Sequence, residues 1–151
     1  MGRGLDELAK RVQEMGRLKV EVGWMDTAKY DDSGVPVALV AQTQEFGSPA
    51  QNIPPRPFVR PTIAAEGRRW SELMGRGVRA VSAGERTPLQ IFTAIGEQAA
   101  GDVRMTITLV NSPPLADSTR KARIAKGREP DKPLQDSGVM RGSCASIVKE
   151  K

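Results

Sequence analysis

The sequence contains no histidine, a single cysteine (Cys144), and only two tryptophans, one tyrosine and three phenylalanines. Because histidine is the commonest general base and a common metal ligand, its absence removes the usual centres of acid–base catalysis and zinc binding. One cysteine excludes an internal disulfide, and no base adjoins Cys144, so we interpret it as a small packing residue. We therefore expect no enzyme activity, no catalytic residue, no metal site and no cofactor.

Long hydrophobic runs are also missing from the sequence. No apolar stretch approaches the roughly 18 residues that a transmembrane helix needs, and residues 1–6 lack the apolar centre of a signal peptide. The scarcity of aromatic residues leaves Val, Ile, Leu, Met and Ala to fill a modest core. A chain of 151 residues is most simply one domain. We expect no membrane contact and synthesis in a reducing cytoplasm.

Positive charge is plentiful: the formal net charge is +5 and the isoelectric point is near 9.7. Much of it lies in residues 119–132, which carry six basic and two acidic residues. This segment is either a solvated flexible loop or a surface that faces DNA phosphates. It has no aromatic residue for base stacking and no helix-turn-helix pattern, so nothing indicates base reading. The candidates for a DNA-facing or partner-facing role are Arg120, Lys121, Arg123 and Lys126.

Proline is concentrated in one place, since five of the eleven prolines lie within residues 45–61. Proline fixes φ and biases the preceding residue toward extended geometry. Residues 47–60 are therefore predicted to form a stiff, extended segment, which we call the proline arm, pinned at its ends by Phe46, Ile53 and Phe58. The arm is either a connection between two helices or an element that grips a neighbouring subunit, because a pre-stiffened segment loses little entropy on docking.

Hydrophobic periodicity predicts the remaining elements. Spacings of three and four predict helices over 3–16, 36–46, 61–82 and 87–110, and alternation predicts a strand over 17–25. Thr87, Pro88 and Gln90 give the clearest helix start, with an N-cap, a first-turn proline and a capping-box glutamine. Residues 111–142 are predicted to be a basic loop with a short helix near 119–125. A weak strand over 143–149 is expected to pair with the first strand.

Two passages, residues 45–58 and residues 133–140, resemble sequence motifs of the neck or tail-completion proteins of tailed bacteriophages. Residues 45–47 read Glu-Phe-Gly and residues 53–58 read Ile-Pro-Pro-Arg-Pro-Phe, similar to an E-F-G-T … I-P-x-R-P-F passage of that family. Residues 133–140 read Pro-Leu-Gln-Asp-Ser-Gly-Val-Met, similar to its P-L-x-D-T-G-x-L passage. The resemblance covers residues 18–148, and the two passages occur in this order along the chain.

The resemblance implies an α+β subunit: a small bent antiparallel sheet packed against two long helices and shorter helices, with long loops. Copies of the chain would form a homo-oligomeric ring at the head–tail junction of the virion, after synthesis in the bacterial host cytoplasm. Its partners would be the connector or head-closure proteins, the tail-terminator or tail-tube proteins, and DNA in transit. The subunit contacts would fall on Glu45, Phe46, Gly47, Pro54, Pro55, Arg56, Pro57 and Phe58.

Other functions remain open from the sequence. A tail terminator or a head-closure protein shares the expected shape and location but has different partners. A non-enzymatic nucleic-acid-binding accessory protein fits the basic composition. A hydrolase with a carboxylate site is the remaining alternative. Asp26, Asp31 and Asp32 are candidates for binding a divalent ion through carboxylate oxygens, but adjacent aspartates in a turn are usually solvated.

Overall fold

A computed structural model describes residues 2–151, with side chains from Gly4 onward. Within this range the chain has six helices and one two-stranded antiparallel sheet, so the fold is mixed α+β and mostly helical, as predicted. The elements are α1 (Gly2–Arg17), β1 (Leu18–Gly23), α2 (Val37–Phe46), α3 (Val59–Ser82), α4 (Pro88–Leu109), α5 (Asp117–Ala125), α6 (Val139–Gly142) and β2 (Ala145–Glu150), with a 3₁₀ turn at Pro49–Gln51.

Helix α4 is the central element and begins where its capping box predicts. The Thr87 hydroxyl accepts a hydrogen bond from the Gln90 backbone N–H at 3.2 Å, and the Gln90 side chain accepts one from the Thr87 N–H at 3.0 Å. Two N–H groups that would otherwise lack partners are thereby satisfied. Helix α3 packs along α4, and the sheet packs on another side of it. This confirms the predicted pairing of the two long helices.

The predicted pairing of the first and last strands is also confirmed. Leu18 pairs with Glu150, and Gly23 pairs with Ala145. Alternation directs Val20 toward α4 and Glu21 to the other face. On that polar face Lys149 and Lys19 contact the Glu21 carboxylate at 2.7 and 2.8 Å, and their hydrogen bonds lower the pKa of Glu21 to about 2.

The hydrophobic core lies where α4, α2, the end of the proline arm and the C-terminal segment meet. Its buried residues are Val37, Ala41, Phe58, Ala100, Val103, Ile107, Leu134, Met140 and Cys144. The prediction that Cys144 packs inside is confirmed, since it is 1% exposed. Trp24 lies half-buried after β1, donates its Nε1–H to the Met140 carbonyl at 2.6 Å, and meets the Phe58 ring edge-on.

Three sequence predictions need correction. The short helix expected near 119–125 is present as α5, but the rest of residues 111–142 is not all loop, because α6 lies within it and Leu134 and Met140 enter the core. Helix α3 begins at Val59 rather than Pro61, so the proline arm is residues 47–58. Phe46 does not pin the arm: it is 61% exposed, whereas Phe58 is fully buried. Across residues 2–151, no helix has both the length and the apolar character needed to traverse a membrane.

Candidate interaction site

The proline arm leaves helix α2 through a tight backbone reversal at Gly47. Gly47 has φ 76°, and a Cβ atom there would lie 2.9 Å from the Ile53 carbonyl oxygen and from the Pro55 nitrogen. Only glycine fits this position without displacing backbone. Ser48 and Ile53 then exchange two backbone hydrogen bonds of 2.8 and 3.0 Å, which close the small loop over the 3₁₀ turn. The arm therefore has a fixed starting geometry.

Glu45, in the last turn of α2, ties the far end of the arm and the start of helix α3 to α2. Its carboxylate accepts hydrogen bonds from the backbone N–H groups of Phe58 (2.7 Å), Val59 (2.9 Å) and Arg60 (3.1 Å). The Arg60 Nε–H donates to the same carboxylate at 2.9 Å. Burial by itself raises the pKa of Glu45, but these hydrogen bonds outweigh it, so the pKa lies below its ordinary value. The helix N-terminus thus holds an ionised carboxylate at neutral pH.

Arg56 fastens the middle of the arm. Its backbone N–H donates to the Gln44 carbonyl at 2.7 Å, and its guanidinium donates to the carbonyls of Pro113 (2.7 Å) and Pro114 (2.8 Å). The side chain of Gln44 accepts a further hydrogen bond at 3.3 Å. Arg56 is only 4% exposed. Burial lowers the pKa of the Arg56 guanidinium, and the positive charge of Arg123 lowers it further.

These contacts narrow the set of residues expected to touch a neighbouring subunit. The side chains of Glu45, Arg56 and Phe58 are buried in their own chain and hold the arm in place, which corrects the expectation that they face outward. Phe46 is exposed, with the Arg60 guanidinium 4.9 Å from the centre of its ring. The outward-facing candidates are Phe46, Pro54, Pro55 and Pro57, and Gly47 contributes backbone shape.

The basic segment also divides into buried and exposed residues. Arg123 is 8% exposed and donates to the carbonyls of Glu129, Lys132 and Pro133, with its Nε 3.4 Å from Asp136. It organises the turn after α5, and this corrects its assignment as a residue that faces DNA.

The other three candidates of the basic segment lie on the surface. Arg120 is exposed but contacts Asp131 at 2.8 Å and Asp117 at 3.8 Å, so part of its charge is compensated. Lys121 and Lys126 are exposed on α5 and at its end. A role for the segment in contacting DNA or a partner therefore rests mainly on these two lysines.

A groove of about 710 Å³ separates the proline arm from the start of α5. Arg56 and Arg123 both line it, although they lie 67 positions apart in the sequence. The spacing of charges along the chain gives no signal of this meeting. An arginine within a proline-rich stretch and another within a basic helix both read as exposed residues. Arg56 and Arg123 meet only because residues 111–133 fold back against the proline arm.

Residues 2–151 contain no group of three or more cysteine, aspartate and glutamate side chains arranged to hold a metal ion. Comparisons with protein-family models, with curated proteins and with solved structures found nothing that matches the chain. The geometry of the arm, the groove and the basic segment therefore carries the functional argument, together with the two motif passages.

Proposed function

We propose that this chain is a structural subunit of a tailed-bacteriophage virion, of the neck or tail-completion type, and that its copies form a homo-oligomeric ring. The observation that carries the proposal is how the proline arm is held. Buried Glu45, Arg56 and Phe58 fix the arm to its own subunit, while Phe46 and the prolines between them remain outside. An interface element that is already ordered loses little conformational entropy when it binds.

The motif passages support the same proposal. The residues that resemble the E-F-G … I-P-x-R-P-F passage include those that build the arm: Glu45 caps α3, Gly47 makes the reversal, and Arg56 ties the arm to residues 113–114. Residues 133–140, which resemble the second passage, lie beside Arg123 and supply Leu134 and Met140 to the core. Both passages therefore serve one structural unit.

Electron microscopy and light scattering of the purified full-length chain test the proposal. We expect discrete rings of one subunit number, and we expect Phe46→Ser to weaken them. The matched control is Leu109→Ser, because both residues are exposed and each is the last residue of a helix. Both variants should keep the circular dichroism spectrum of the parent chain.

Two results would contradict the proposal. One is a chain that stays monomeric at every concentration tested and is missing from purified virions. The other is equal weakening of the rings by Phe46→Ser and Leu109→Ser, which would place the subunit contact elsewhere than Phe46 and the adjoining arm.

A nucleic-acid-binding accessory protein is the second candidate, favoured by the exposure of Lys121 and Lys126 on and beside α5. Exposed lysines bind phosphates non-specifically, and the affinity falls as salt concentration rises. Tight, salt-dependent binding of random DNA by a monomeric form of the chain would favour this candidate over the ring. Substituting both lysines by glutamine should then reduce the slope of affinity against salt by about 2.

A further inference from the structure

The groove between the proline arm and α5 holds buried positive charge that the chain does not fully neutralise. Arg56, more than nine-tenths buried, donates to the neutral oxygens of Pro113, Pro114 and Gln44 and makes no ion pair within the described residues. Arg123 lies on the same groove, and the acid beside it, Asp136, also pairs with Arg128 at 2.8 Å. Arg123 and Arg128 therefore share one carboxylate, and Arg56 has none in the part of the chain that the structure describes.

A buried charge is costly unless a group of opposite charge lies beside it. The three carbonyl and amide oxygens around Arg56 reduce that cost, but they carry only partial charges. A guanidinium has five N–H donors, and Arg56 uses three of them in the hydrogen bonds described above. The groove in front of it therefore favours a ligand that brings a full negative charge.

The walls of the groove indicate what carries that charge. Most of the lining is apolar and rigid, formed by Ile53, Pro54 and Pro55 on one side and by Pro114 and Leu115 on the other. Asn52 and Thr119 add polar groups. Apolar walls with a few convergent polar groups are typical of sites that bury most of a ligand.

We propose that this groove binds an acidic side chain presented by an extended, apolar peptide segment of a partner protein, with the carboxylate directed toward Arg56 and Arg123. The planar guanidinium matches a carboxylate in a two-pronged hydrogen-bonded pair. A DNA backbone fits poorly, because its phosphates lie on a broad rod and the two arginines, 4% and 8% exposed, line a proline-walled groove. One subunit supplies all of the groove residues, and Phe46, whose substitution tests the ring, is not among them.

Ligand-observed NMR titration of the full chain tests the proposal with three probes. The first is the blocked peptide Ala-Pro-Glu-Pro-Ala, the second is its glutamine counterpart, and the third is inorganic phosphate. We expect the glutamate peptide to bind about tenfold or more tightly than the glutamine peptide, because only its carboxylate meets the guanidinium charge. Phosphate, which lacks the apolar flanks, should bind more weakly than the glutamate peptide.

Two alanine variants locate the binding in the groove without disturbing the buried arginines, and a third variant tests Arg56 itself. Ala116 is exposed and lines the groove, so Ala116→Trp should fill it and abolish binding of the glutamate peptide. Ala65→Trp, at another exposed alanine outside the groove lining, should leave binding unchanged. Arg56→Lys keeps the charge but not the planar fork, and it should weaken binding at least several-fold.

Four results would overturn the proposal. They are equal binding of the two peptides, no binding of the glutamate peptide at millimolar concentration, binding that survives Ala116→Trp in the folded variant, and phosphate or a short DNA duplex outcompeting the peptide. These outcomes are separate from ring formation. If the chain forms rings but fails this test, only the proposal for the groove is contradicted. If a monomeric chain binds the peptide, only the proposal for the ring is contradicted.

Discussion

A single carboxylate, Glu45, connects the end of one helix to the start of the next. It accepts three backbone N–H groups and the Arg60 side chain while being only 4% exposed. Helix N-termini attract negative charge because their first N–H groups have no partner within the helix. Glu45 lies in the last turn of α2, so its hydrogen bonds tie the end of α2 to the start of α3. The proline arm between the two helices is therefore held at both of its ends.

Replacing Glu45 by glutamine should destabilise the chain by about 2 kcal/mol at pH 7. The amide carries no negative charge, and its NH2 group would face backbone N–H groups that need an acceptor. Urea unfolding followed by circular dichroism measures the difference. Gln42→Glu, an exposed change on the same helix, is the control and should alter stability by less than about 0.5 kcal/mol. A Glu45→Gln variant as stable as the parent would contradict this account.

The stabilisation by Glu45 should depend on pH in one direction. Its pKa is lower in the folded chain than in the unfolded chain, so the contribution is fully present above the unfolded value of about 4.3 and is lost as pH falls through the folded pKa. The gap in unfolding free energy between the parent and Glu45→Gln should therefore narrow as pH falls below about 4.3. A gap that stays constant down to low pH would show that the ionised carboxylate is not responsible.

Gly47 is the second residue on which the arm depends. Its φ of 76° is unfavourable for other residues, and a Cβ atom would also overlap the backbone of Ile53 and Pro55. Gly47→Ala should therefore cost more than the about 1 kcal/mol expected for Gly127→Ala, where φ is 64° but the surrounding space is open. Urea midpoints of the two variants make the comparison. Equal costs would mean that the arm moves aside easily.

At the scale of elements, helix α4 organises the molecule because it packs against both α3 and the sheet. Its contacts are close where one partner is glycine: Gly77 of α3 lies against Ile91, and Gly96 lies against Val20 and Ser146. Asp102 adds a polar link, because it accepts hydrogen bonds from Arg69 at 2.8 Å and from the Trp70 indole at 2.7 Å. Close packing and this polar link together fix α3 beside α4.

Gly96→Val should destabilise the chain by about 2 kcal/mol, since its Cβ alone would lie 2.6 Å from Val20 and 2.8 Å from the Ser146 side chain. The control is Gly67→Ala in α3, where the added methyl group meets open space and should stabilise the helix by about 1 kcal/mol. Thermal unfolding of both variants shows whether each substitution raises or lowers the stability of the chain. Stabilisation by both would show that the sheet is not held tightly on α4.

At the scale of the whole molecule, the proposed ring links stability to concentration. A folded chain that associates is stabilised by its partners, so its unfolding temperature rises with protein concentration. We expect this rise for the parent chain and for Leu109→Ser, and a smaller rise for Phe46→Ser. Differential scanning calorimetry over a wide concentration range measures it. An unfolding temperature independent of concentration in the parent would contradict association.

Much of the fold was predictable from local signals. The capping box at Thr87 fixed the start of α4, and alternation located β1 and indicated its partner near the C-terminus. These signals are encoded by neighbouring residues, so they can be read along the chain. The entry of Leu134 and Met140 into the core was not predictable, because no helical or strand period marks them.

The sequence by itself determined the five longer helices to within a few residues and the pairing of the two strands, and it excluded histidine chemistry, since each follows from residue type or spacing. Tertiary structure alone decided which side of the arm faces outward, and it placed Arg56 and Arg123 on one groove. The physical reason is that burial of a charged side chain depends on carbonyl groups outside its own element, here those of residues 113–114 for Arg56 and of residues 129–133 for Arg123. Such partners leave no pattern in the neighbouring residues.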